Sequence, residues 1–118
     1  FAPGEINQTV HTKGMNHILG THDLVKTQVP TACGAMHRYQ LTWTPEYIVM
    51  GVDDVPRFGL VNNGDPAIWP FDKPMYLLLN IAVGGVWGGE KGIKDNAFPA
   101  TMEVDYVRVY QPVSASAP

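Results

Sequence analysis

The chain has 118 residues, 45% hydrophobic and 16% charged, with a formal net charge of -3. That composition describes one folded domain, not a disordered segment, and the scattered Lys and Arg exclude a phosphate-binding surface. No apolar run reaches the roughly 18 residues of a membrane helix, so neither nucleic acid nor a membrane is an expected partner. Cys33 is the single cysteine; it supports no disulfide or cysteine metal cluster and is expected as a buried or half-buried thiol. Residue 1 is Phe, so the chain reads as a piece of something longer, and the lack of a signal peptide says nothing about compartment.

Residues 1–5 (FAPGE) form a turn signal. "INQTVHT" alternates Ile6, Gln8 and Val10 against Asn7, Thr9 and His11 and predicts a strand. Residues 13–36 predict a long loop with at most one short strand. "HRYQLTW" (37–43) and "EYIVMGVDD" (46–54) flank Thr44-Pro45 as a hairpin, and Asp53-Asp54 marks a turn. "VPRFGLV" (55–61) predicts another short strand, and the proline-rich 62–74 a loop.

"MYLLLNIAV" (75–83) is apolar on both parities and predicts a strand buried on both faces. A glycine-rich loop follows over 84–100, then a strand over 101–111 and a Pro/Ser/Ala tail over 112–118. No helix is signalled. Strands joined by Gly/Pro loops predict an all-β sandwich or barrel.

Glycoside hydrolysis needs two carboxyl groups across the scissile bond. Glu103 and Asp105 are the one Glu-x-Asp pair that shares a predicted strand face, yet no third carboxylate follows. The four histidines, His11, His17, His22 and His37, match no compact zinc spacing. Aromatics remain. Trp43 ends a predicted strand and is expected in the core. Trp69 and Trp87 fall in loops, where packing and contact with a sugar ring are both open. Trp87 lies between glycines, which leave an indole room to lie flat at a cleft rim.

Three stretches, "HRYQLTWTPEYIVMGVDD", "WPFDKPMYLLLNIAVGGVWGG" and "FPATMEVDYVRVYQ", resemble in order and spacing the C-terminal half of glycoside hydrolase family 16. The likeness is to its laminarinase-like β-1,3(4)-glucanases, and "INQTVHT" and "NHILGTH" fit the strand and loop just before. The resemblance implies a concanavalin-like β-jelly-roll sandwich, with residues 1–111 as half of it and 112–118 as tail or linker. It implies retaining hydrolysis by two Glu in a Glu-x-Asp-x-x-Glu strand that this sequence lacks, so no catalytic residue is assigned; Glu5 has no companions in register.

By resemblance, Asn80, Trp87 and His11 contact substrate at the cleft, and Trp69 joins them as a loop aromatic. Asp105 resembles an Asp that in many members contributes to a structural calcium site; no other cofactor is implied. The expected ligand is a β-glucan polysaccharide or oligosaccharide, in a secreted or periplasmic setting. Two readings stand: part of a β-glucanase whose carboxylates lie outside this chain, or a non-catalytic β-glucan-binding module. Half a jelly roll leaves strands without neighbours, so a dimer or a second chain completing the sandwich is expected.

Overall fold

The computed structural model describes residues 2–112, and the expected tail lies almost wholly outside them. The chain forms two compact units, Phe1–Met75 and Tyr76–Pro118.

The first unit is all-β and antiparallel. Strand β1 (Glu5–Thr9) pairs with β2 (Leu24–Gln28), and β3 (Tyr39–Trp43), β4 (Tyr47–Val52) and β5 (Val55–Val61) form a meander in the order β3-β4-β5. The two sheets meet where β5 passes β1 and β2. Period-two alternation aims Ile48 and Val52 of β4 to one face, where they are buried with Phe58 of β5. Trp69, Val10 and Met15 complete the buried set. Between β1 and β2 the buried pair is polar: Thr27 Oγ1 donates to Gln8 Oε1 at 3.2 Å, which satisfies both groups out of water.

Local chemistry explains the turns. Thr44 Oγ1 accepts the backbone N–H of Glu46 and Tyr47 and closes the β3–β4 connection. Asp53 (φ 51°) and Asp54 (φ 65°) form the two-residue β4–β5 loop, both in the left-handed region that such a hairpin turn requires. Aspartate tolerates it because its short side chain bonds locally.

A bulge at Met50/Gly51 skips Arg57 in the β4–β5 pairing. A Cβ on Gly51 would lie 2.8 Å from the Val55 carbonyl oxygen, so only glycine fits there. Gly51→Ala is expected to cost about 1–3 kcal/mol through a forced backbone shift, read as a lower urea midpoint with unchanged slope.

The second unit departs from the expectation. Residues 75–83 and 101–111 carry strand composition but are not strands: among the described residues, 75–83 and 99–112 make no backbone–backbone hydrogen bond. A strand exists only when a neighbour pairs its N–H and C=O groups, whatever its composition. The double-sided burial expected for 75–83 is likewise absent, with Leu78 73% exposed. The glycine-rich loop holds one helical turn, α1 (Gly85–Gly88), and a 3-10 turn at Asp95–Ala97. Single turns are too short to leave a periodic signal in sequence.

Candidate functional site

The loop after β1 is built by its own polar side chains. Asn16 Nδ2 donates to the carbonyls of Thr12 and Lys13, its Oδ1 accepts from Leu19 N–H, and Thr21 Oγ1 donates to Gly14 O. Gly14 N–H donates to Ala67 O at 2.7 Å, tying this loop to the 62–74 loop. The framework gathers three histidines that sequence spacing kept apart. His11 stacks on His22 (centroids 5.4 Å, 21°) and meets His17 edge-on (5.5 Å, 77°). His11 and His17 are exposed, while Nδ1 of half-buried His22 has no hydrogen-bond partner among the described residues. Among the described residues no group of three His, Cys, Asp or Glu is arranged to hold a metal.

The tryptophans divide differently from expectation. Trp69 is 4% exposed and packs edge-to-face on Phe71 at 5.3 Å. A ring so enclosed has no free face for a sugar, so packing accounts for it. Trp43, expected in the core, is 43% exposed; its indole N–H donates to Phe71 O at 2.9 Å. The outer strand β3 has no neighbour beyond it among the described residues to cover the ring. Cys33, expected buried or half-buried, is exposed as well, because it lies in the turn after Pro30.

In the second unit, Trp87 sits in α1 with its side chain 63% exposed. Gly84 and Gly85 precede it at φ 74° and 75°, which lets the chain turn sharply into the helical turn. Asn80 is exposed in the preceding segment. Asp105 is exposed in the last segment, where the Arg108 guanidinium lies 4.3 Å from the Tyr106 ring centre. Calcium takes six to eight oxygen ligands, and among the described residues Asp105 belongs to no group of three His, Cys, Asp or Glu side chains. Glu5 lies on β1 in an ion pair with Lys26 at 3.0 Å.

Two features were not visible in sequence. A groove of about 300 Å³ opens between β1 and the β3–β4 pair, with Asn7, Thr9 and Gln40 beside the apolar Ile6 and Leu41. The second is a relay on the β4–β5 turn. Thr31 Oγ1 lies 3.0 Å from His37 Nε2, and His37 Nδ1 lies 2.6 Å from Asp53 Oδ2.

The His37 hydrogen bond, then the Arg38 backbone N–H, hold the Asp53 carboxyl below its ordinary value of 3.8. A carboxyl whose folded pKa is depressed stabilises the fold above its unfolded pKa and loses that contribution as pH falls through the folded one. The urea midpoint of the native chain should therefore exceed that of Asp53→Asn at neutral pH, and the gap should close on acidification below about pH 4. A gap that widens in acid would reverse the assignment.

Antiparallel sheets joined by irregular loops define an all-β protein. The family model described as glycosyl hydrolases family 16 matches residues 2–108, and the chain belongs to that family. It is 48% identical over 117 residues to a beta-glucanase of Rhodothermus marinus, covering 94% of this chain and 41% of that protein. A glucan endo-1,3-beta-glucosidase A1 of Niallia circulans is 33% identical over 120 residues, covering 92% and 17%. Among solved structures, the R. marinus laminarinase superposes with TM-score 0.78 at 45% identity, covering 82% of this chain and 41% of that one.

SCLam, a non-specific endo-beta-1,3(4)-glucanase, gives 0.75 at 41% identity, covering 81% and 37%. The fold class is thus the jelly roll of these enzymes, and the chain spans well under half the length of the relatives it matches.

Proposed function

We propose that this chain supplies part of the cleft and core of a β-1,3(4)-glucan hydrolase of laminarin type, whose catalytic carboxylates it does not itself carry. The observation that carries this reading is 48% identity, over nearly the whole chain, to a beta-glucanase. A mutant of SCLam was co-crystallised with a β-1,3-linked cellotriosyl-glucose, which supports a β-glucan as the ligand class. Asn80 and His11 would bond sugar hydroxyls, and Trp87 would stack on the C–H face of a ring. A polymer substrate favours a secreted or periplasmic setting.

Segments 75–83 and 99–112, without backbone pairing among the described residues, expose Leu77, Leu79 and Val104. Pairing with a second chain, or with further polypeptide of the same fold, would cover these side chains and satisfy the backbone. Absence of Glu-x-Asp-x-x-Glu from the sequence favours a second reading, a β-glucan-binding module without hydrolysis.

Binding to immobilised laminarin tests the shared claim. Trp87→Ala should weaken binding by about 1–3 kcal/mol, using the worth of an aromatic stack in other ligand sites as the scale, with little loss of melting temperature. Unaltered binding would remove Trp87 from the site.

A further inference from the structure

We propose that Thr31 is a nucleophile toward small acyl esters, with His37 as its general base and Asp53 as the residue that positions the base. The three side chains come from separate places in the chain, the turn after Pro30, the segment just before β3 and the β4–β5 hairpin loop, and meet in a hydroxyl–imidazole–carboxylate line. An activated nucleophile needs this geometry: hydroxyl within reach of a base, and base oriented by a third group.

The protons fall in the required order. An ionised Asp53 can only accept, so His37 Nδ1 carries the hydrogen and donates it at 2.6 Å. In the neutral ring Nε2 then bears the lone pair, and the Thr31 hydroxyl must be the donor at 3.0 Å. Asp53 cannot swing away. Its Oδ1 accepts Arg38 N–H at 2.9 Å and its own N–H donates to Arg38 O at 2.9 Å. The remaining charges nearby, Arg38 and Asp54, pair with each other.

Thr31 is fixed from behind, its carbonyl accepting the N–H groups of Gly34 and Ala35, each at 2.9 Å. The His37 side chain is only 11% exposed, whereas Thr31 is open to solvent. The base is shielded and the nucleophile accessible. The flanking Pro30, Ala32 and Gly34 are small, which suits a short acyl group.

In the step, Thr31 Oγ attacks the ester carbonyl carbon while its proton passes to His37 Nε2. The carbon–oxygen bond to the alcohol breaks, and the alcohol leaves with that proton. Water, deprotonated by the same nitrogen, then attacks the acyl-threonine, releasing the carboxylic acid and restoring the hydroxyl. The sum is ester plus water to acid plus alcohol.

The probe is p-nitrophenyl acetate, given to a Cys33→Ala background because the exposed thiol lies two residues from Thr31. Nitrophenolate release is followed by absorbance and the acetyl group mapped by peptide mass spectrometry. Acetyl should map to Thr31, vanish in Thr31→Ala and persist in Thr31→Ser. His37→Gln should slow release by about 100-fold or more. Asp53→Asn should slow release with the acetyl still mapping to Thr31, and Asp53→Glu should recover it. Circular dichroism melts establish that each variant is folded. Acetyl confined to lysines, or release unchanged in folded Thr31→Ala, would overturn the proposal and leave the relay as a pin between loop and hairpin.

Discussion

Purified chain incubated with laminarin or mixed-linkage β-glucan is expected to release no reducing sugar above the buffer rate. Retaining hydrolysis needs an acid/base and a nucleophile carboxyl about 5–5.5 Å apart on one surface. Glu103 and Asp105 are the sole Glu-x-Asp pair, and they lie in a segment that is not a strand, so period-two geometry does not hold them on a common face. Glu5 is engaged by Lys26 at 3.0 Å.

Enzymes accelerate reactions by about 10⁶-fold or more, and with neither carboxyl in place we expect a loss of that order relative to an intact family member. Adding a polypeptide of the same fold that bears Glu-x-Asp-x-x-Glu should restore turnover if the chain is part of an enzyme. Continued silence with retained glucan binding would support the binding-module reading instead. Activity of the chain alone, lost in Glu103→Gln, would place the chemistry in residues to which no such role is assigned here.

Trp69→Ala should destabilise the first unit by about 3–5 kcal/mol, the usual cost of deleting a buried aromatic. Its indole is 4% exposed, packs on Phe71 at 5.3 Å, and is carried by a turn in which Trp69 N–H donates to Asp65 O at 2.7 Å. Trp43→Ala should cost far less. Its ring is 43% exposed, and the loss is one hydrogen bond to Phe71 O, worth about 0.5–1.5 kcal/mol, plus partial burial. Urea midpoints of the two variants decide the order. A larger loss for Trp43→Ala would mean that β3 is covered in solution by something outside this chain.

Local grammar was enough for much of the first unit. Strand-forming runs on either side of Thr44-Pro45 and of Asp53-Asp54 specify β3, β4 and β5 because consecutive strands joined by short turns pair with each other. Family membership was also legible, since ordered motifs are a property of sequence alone. Strand state over 75–83 and 101–111 was not. Those residues have the composition of strands, but a strand is a paired object, and pairing is decided by what lies alongside.

The tryptophans make the same point for burial. Trp43 on a predicted strand reads as core and Trp69 in a proline-rich loop is open between packing and sugar contact, yet it is Trp69, against Phe71, that is buried and Trp43 that is exposed. His11, His17 and His22 converge only because Asn16 and Thr21 fold their loop back on itself. Thr31, His37 and Asp53 stand 6 and 16 residues apart along the chain; a hairpin turn and a loop must close in space before their side chains can meet.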